Sequence, residues 1–155
     1  MRNYLFINLV TRSVEIQTLE PEAIIRAGRY HVAKSLNDCG AANIEPLSPD
    51  NPLIFSAGPF AGTNFSNANR LSVGCRSPLT GGIKEANAGG TFGFALGQLE
   101  LSGFTLEHAS EDWIVIHIRK GGDVQYYSAD DYLGKNNFQT AAMLHEKFGK
   151  KTHRQ

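Results

Sequence analysis

Two arginines stand alone in a long acid-free stretch. In the 33 residues from Asn51 to Ile83 the only charged side chains are Arg70 and Arg76, and the wider segment from Asn51 to Gly103 holds ten of the chain's sixteen glycines. Ser, Thr and Asn fill much of the rest. That combination suits an anion. Glycines let the backbone approach closely and expose N–H groups, small hydroxyls and amides complete the hydrogen bonds, and an unpaired guanidinium offers the fork that matches phosphate. Asn87-Ala88-Gly89-Gly90-Thr91-Phe92-Gly93 then leads into Phe94-Ala95-Leu96, which reads as a helix start, and a helix N-terminus is itself an anion site. The competing reading is that the glycines only satisfy turn geometry between strands. The segment has neither the Gly-Lys-Ser/Thr ending of a phosphate loop nor the Gly-x-Gly-x-x-Gly of a dinucleotide fold.

Reaction machinery is otherwise sparse. His145-Glu146 lacks the second histidine of a zinc helix, and His31, His108, His117, His145 and His153 never fall at ligand spacing with a carboxylate or thiol. Each reads as a surface or strand histidine. Glu111-Asp112 and Asp130-Asp131 read as helix caps or solvated loops rather than acid/base pairs. Cys39 and Cys75 have the spacing of neither a metal knuckle nor a redox dithiol, and are expected to be buried free thiols. The residues alone describe a binding surface and no visible catalyst.

The composition is that of an ordinary globular domain: 155 residues, 41% hydrophobic, 19% charged, with 15 Lys+Arg against 15 Asp+Glu. One core organises about 100–200 residues. A balanced charge gives no global pull toward nucleic acid or an anionic membrane. No apolar run approaches the roughly 20 residues that span a bilayer, and Met1-Arg2-Asn3-Tyr4-Leu5 lacks the pattern of a secretory leader, so the expected compartment is the cytoplasm.

The elements that must position the anion window are β-rich. Tyr4 to Val10 and Ser13 to Thr18 alternate as a hairpin, although Thr11-Arg12 lacks the usual Gly or Asn-Gly turn. A helix enters at Glu20-Pro21-Glu22, with Ile24, Ile25, Val32 and Leu36 on one face, and Gly28 must either break it or allow a close contact. A proline-punctuated connector from Ile44 to Pro59 feeds strands at Pro52 to Ala57 and Arg70 to Arg76. A second hairpin spans Trp113 to Ile118 and Asp123 to Tyr127 around Lys120-Gly121-Gly122, and an amphipathic helix spans Asn137 to Phe148 with Gly149 beyond it. The domain is expected over 1–149, with 150–155 a frayed polar tail.

Taken in order, Pro46 to Phe55, Gly58-Pro59-Phe60-Ala61-Gly62-Thr63, Arg70, Arg76-Ser77-Pro78-Leu79-Thr80-Gly81-Gly82 and Ala86-Asn87-Ala88-Gly89-Gly90 resemble the N-terminal domain of the aldehyde:ferredoxin oxidoreductase family. The opening hairpin, the Gly28-Arg29 helix and Leu133-Gly134-Lys135 extend the likeness over nearly the whole chain. The resemblance implies an α+β fold, a β-rich domain of antiparallel sheets with a few helices. It also implies a tungsten or molybdenum bis-pterin cofactor, with electrons leaving through a [4Fe-4S] cluster. By this resemblance Arg70 matches the arginine linking pterin to the cluster region. Asn87 matches the asparagine whose backbone carbonyl helps hold a magnesium between the pterin phosphates, Ala88, Gly89 and Gly90 match adjoining backbone contacts, and Arg76 matches a basic position of the same loop.

Two departures stand out. Ala27-Gly28-Arg29-Tyr30 puts a bulky ring where the family's early Gly-Gly-Arg-Gly-type loop has glycine, and the pattern is hard to follow between Phe94 and Trp113. Family enzymes are several times longer, and their cluster cysteines, remaining pterin contacts and acid/base residues lie in later domains, so this chain ligates no [4Fe-4S] and is not expected to be active alone. It is therefore expected either to join a larger subunit carrying those domains, or to be a noncatalytic relic or anion-binding module of the same fold without metal. Self-association is the further expectation if an apolar face is left uncovered.

Overall fold

The computed structural model describes residues 1–149; the expected tail, Lys150 to Gln155, lies outside the described residues. Eight strands and four helices follow one another as β1 (Arg2–Asn8), β2 (Val14–Leu19), α1 (Pro21–Ile25), α2 (Arg29–Asp38), β3 (Leu53–Ala57), β4 (Leu71–Arg76), β5 (Ile83–Ala88), α3 (Thr91–Gln98), β6 (Leu101–Glu107), β7 (Ile114–Ile118), β8 (Val124–Ser128) and α4 (Asn137–Phe148). Six strands form one sheet in the order β2-β1-β6-β3-β4-β5, and β7-β8 form a separate two-stranded ribbon.

The architecture is α+β as expected, with one difference. β1 and β6 run parallel, whereas the remaining pairs of the large sheet are antiparallel. A parallel pair needs a long crossover rather than a hairpin, and here almost the whole first two-thirds of the domain serves as that crossover. β6 is the central strand that sequence patterning did not reveal. Beside the register shift against β1, Gly103 passes so close to β3 that an added Cβ would lie 2.0 Å from the Phe55 carbonyl oxygen and 2.9 Å from the Tyr4 ring. Only glycine fits there.

Period-two alternation divides the sheet's side chains between two layers. On one face Leu5, Ile7, Ala57, Leu71, Leu101 and Phe104 pack with Leu96 of α3, and Ile118, Val124 and Tyr126 of the ribbon close over them. On the other, Val32 and Leu36 of α2 pack with Ile54 and Ala41. The α2 layer sits tight on β4, because Gly74 presents no side chain: a Cβ there would be 2.2 Å from Val32 Cγ1.

The long helix expected after Pro21 is two. Gly28 takes φ +72° and brings its N–H against β3, donating to Ser56 Oγ at 2.8 Å. The break and the close approach are one feature. The first hairpin turns without glycine because Asn8 Oδ1 accepts N–H groups of Val10 and Thr11, both at 3.0 Å, a side chain standing in for turn backbone. α4 opens with a reciprocal capping box between Asn136 and Gln139. Cys39 and Cys75 are free, but Cys39 is exposed and Cys75 half-buried, because Cys39 ends α2 beyond its buried stripe. His31 is no strand residue. It lies on α2 with its ring 4.5 Å from that of Tyr4, and burial holds its pKa below the ordinary imidazole value.

Candidate functional site

The acid-free window runs through β3, the loop after it and β4 to the first residue of β5; the rest of β5, with Lys84 and Glu85, and α3 follow it. β5, Ile-Lys-Glu-Ala-Asn-Ala, has little strand propensity and is exposed along most of its length. It is a strand because β4 templates it, from Leu71 opposite Ala88 to Arg76 opposite Ile83. Lys84 and Glu85 on this edge discourage further pairing. The loop from Gly58 to Arg70 is held from below. Arg2 donates to the carbonyls of Gly58 and Ala61, at 3.1 and 2.5 Å, and burial lowers its pKa. Asn69 Oδ1 accepts the N–H of Gly62 at 2.8 Å, and Gln98 Nε2 donates to the Gly62 carbonyl at 2.7 Å.

Glycines make α3 part of the same body. A Cβ on Gly97 would fall 2.1 Å from the Ala61 carbonyl oxygen, one on Gly62 would fall 2.6 Å from the Gly97 carbonyl carbon, and one on Gly93 would fall 2.7 Å from the Asn69 carbonyl oxygen. Backbone therefore packs on backbone, and the first turn of α3 rests directly against Asn69 and Arg70. Gly90, at φ +118°, makes the turn into the helix, and an added Cβ there would meet nothing within 4 Å.

Arg70, Asn87 and the Ala88-Gly89-Gly90 segment are brought together. Arg70 Nε donates to Asn87 Oδ1 at 2.5 Å and its Nη2 to the Asn87 carbonyl at 3.5 Å. Asn87 Nδ2 donates to Ser72 Oγ at 3.1 Å. Arg70 Nη1 lies 3.6 Å from where a Gly89 Cβ would stand. Among the described residues no carboxylate forms an ion pair with Arg70. An exposed guanidinium, oriented on one side and unneutralised, thus borders two exposed glycines and a helix N-terminus. Such an arrangement can bind a phosphate through charge-assisted hydrogen bonds.

Arg76 lies elsewhere. Six residues along the strand, about 20 Å away at the strand rise, its Nε donates to the Gly81 carbonyl at 2.9 Å and its Nη1 to the Ile44 carbonyl. Asn51 reinforces that end by accepting the Arg76 N–H and donating to the Arg76 and Pro46 carbonyls. This arginine staples the connector to the hairpin. Sequence reading missed Ser72, Asn69 and Arg2, which orient the site. Asn69 adjoins Arg70, but no local pattern marks Ser72 or Arg2, since their partners are 15 to 59 residues away.

Other constellations stay apart from this one. A cavity of about 370 Å³ is lined by Arg12 of the β1-β2 turn and by Asp112, Trp113, Tyr126 and Asp130 of the β7-β8 ribbon and its flanks, among others. Among the described residues no three His, Cys, Asp or Glu side chains gather as a metal-ligating group, and no helix is long and apolar enough to cross a membrane.

Comparison with known proteins follows the same outline. The family model of the aldehyde ferredoxin oxidoreductase N-terminal domain matches residues 4–154. The tungsten-containing aldehyde ferredoxin oxidoreductase of Pyrococcus furiosus is 36% identical over 106 residues, covering 68% of this chain and 17% of its own length. That of Pyrococcus horikoshii is 35% identical over 124 residues, covering 80% and 20%. The active-site complex BamBC of benzoyl-coenzyme A reductase, solved with 1,5-dienoyl-CoA, superposes with a TM-score of 0.88 at 26% identity, over 96% of this chain and 23% of that one. The chain spans about a fifth of the length of the curated relatives it matches. With the β4-β5 hairpin, its Arg70-Asn87 pair and the glycine-locked α3 all falling inside the matched region, the chain belongs to the aldehyde ferredoxin oxidoreductase N-terminal domain family.

Proposed function

We propose that this domain forms one wall of a metallopterin site, in which Arg70, the Asn87 backbone and the Ala88-Gly89-Gly90 segment hold the phosphate-bearing ends of a tungsten or molybdenum bis-pterin. The observation that carries this reading is Arg70 itself: exposed, without an ion-pair partner among the described residues, and fixed on one side by Asn87. The curated relatives are tungsten-containing enzymes. The residues fit the cofactor's phosphates, since Gly89 and Gly90 leave open backbone beside the guanidinium. When bound, the metallopterin would supply the redox chemistry. Arg70 would neutralise a phosphate, the Gly90-Thr91 turn would direct N–H groups at it, and the Asn87 carbonyl would contribute one ligand to a magnesium between phosphates. Arg76 belongs to the same hairpin and supports it through the connector.

The remaining contacts, the [4Fe-4S] ligands and the acid/base groups are assigned to polypeptide beyond this domain, in a larger subunit or a continuation of the chain. Phe60 and Phe65, 58% and 69% exposed with ring centroids 5.5 Å apart, sit on the loop leading to Arg70 and offer apolar surface for that polypeptide to cover. The test is affinity purification of the chain from cells that assemble pterin cofactors. Recovery with a larger polypeptide and with tungsten or molybdenum, lost in Arg70→Ala, supports the reading. Recovery of wild-type chain without metal or partner, but with retained phosphate binding, would instead favour an anion-binding module of the same fold.

A further inference from the structure

Asn87 is an exposed residue on an edge strand, yet its amide has little freedom. On β4, Ser72 lies directly opposite it in register. Ser72 is 1% exposed, and its Oγ accepts the Asn87 Nδ2 at 3.1 Å while Asn87 Oδ1 accepts Arg70 Nε at 2.5 Å. The two ends of the amide are chemically opposite, and Arg70 can only donate. The arrangement therefore works in one sense only: amide oxygen toward Arg70, amide nitrogen toward Ser72.

We propose that Ser72 is the positioning residue of the Arg70 anion site, acting through Asn87 to hold the guanidinium with Nη1 turned toward Gly89 while Nη2 rests on the Asn87 carbonyl. The inference rests on the reading of Arg70 given above and adds a residue to it. A long arginine side chain free in solvent loses rotamer freedom whenever it clasps a ligand. Here that ordering precedes binding. The Asn87 side chain has both ends engaged and is left to tether rather than to contact ligand, so the groups facing the anion are Arg70 Nη1 and the backbone of Ala88 to Gly90. The absence of a side chain at Gly89 keeps Nη1 uncovered, since a Cβ there would stand 3.6 Å from it.

The test uses the full chain, labelled with 15N, and inorganic pyrophosphate as the probe. In wild type, the Arg70 Nε–H and the Asn87 Nδ2 proton donated to Ser72 are expected to exchange slowly with solvent, and pyrophosphate should shift the Arg70 signal. Ser72→Ala should release the Asn87 amide, speed Arg70 Nε–H exchange at least tenfold, and weaken pyrophosphate about fivefold, the scale of one hydrogen bond. Asn87→Asp separates orientation from charge: the carboxylate keeps Arg70 tethered and its Nε–H protected, but neutralises it, and pyrophosphate binding is lost. If Arg70→Ala binds pyrophosphate as wild type does, the anion site itself is wrong. If Arg70→Ala abolishes binding while Ser72→Ala leaves both affinity and Nε–H protection unchanged, the site stands and the role given to Ser72 is overturned. Should Ser72→Ala fail to fold, fast exchange of the Asn87 amide in wild type overturns it equally.

Discussion

The two ends of the β4-β5 hairpin each carry an arginine from the same acid-free window, and they have opposite fates. At the Arg76 end the guanidinium meets the backbone carbonyls of Gly81 and Ile44, and Asn51 bridges the connector to the strand. The charge there holds two segments of chain together. At the Arg70 end the principal partner is a side chain, Asn87, itself anchored on Ser72, and the outward Nη1 remains available. An arginine among glycines is thus not by itself a ligand site. What decides is whether carbonyls of a neighbouring segment arrive first.

The largest expected effect breaks the Arg70 end without touching its polar groups. Gly97→Ala forces a Cβ to within 2.1 Å of the Ala61 carbonyl oxygen, so α3 or the loop must move, at about 3 kcal/mol of stability for such overpacking. Urea denaturation should show it, and phosphate binding should fall with it. Next comes the Arg76 end. Arg76→Met removes bonds to the exposed Gly81 carbonyl and the half-buried Ile44 carbonyl, for about 1.5 kcal/mol, and phosphate affinity measured below the melting range should stay within twofold. A larger loss of affinity would erase the contrast between the ends. Arg70→Ala is the mirror image: stability within about 0.5 kcal/mol, as for an exposed side chain, but phosphate or pyrophosphate weakened about tenfold or more, as for a lost charged hydrogen bond.

The smallest effect concerns the α2 layer beneath the site. Burial lowers the His31 pKa in the folded chain, so below the ordinary imidazole value near 6.5 the unfolded state takes up a proton that the folded state resists. Stability should fall as pH drops through that value and be flat above it. His31→Phe, measured by thermal unfolding between pH 5 and 8, should remove that share of the slope and leave the contrast between the two arginines intact.

Legibility in the sequence followed the range of the interactions. The β7-β8 ribbon around Gly121-Gly122, the helix from Asn137 to Phe148 with its Gly149 stop, and strands β3 and β4 rest on local patterning, and they stand where the sequence reading puts them. β5 was not legible, because a run such as Lys84-Glu85-Ala86-Asn87 is extended only by pairing with β4. Nor was β6: its glycine and serine weaken any strand pattern, yet Gly103 is required by the closeness of Phe55 and Tyr4. The parallel β1-β6 pair escaped for the same reason, being a contact between residues about a hundred positions apart.

By itself the sequence determined the composition of the acid-free window and the family likeness, because charge, glycine content and short motifs are local properties of a chain. Which of two arginines is free to meet a ligand was decided only by tertiary structure. Arg76 is engaged because the Ile44 to Pro52 connector crosses its end of the hairpin, and Arg70 is available because Asn87, Ser72 and the glycines of α3 fix its surroundings without covering it. Hydrogen-bond partners supplied from distant segments leave no mark on a local pattern, and they determine what a charged side chain has left to offer.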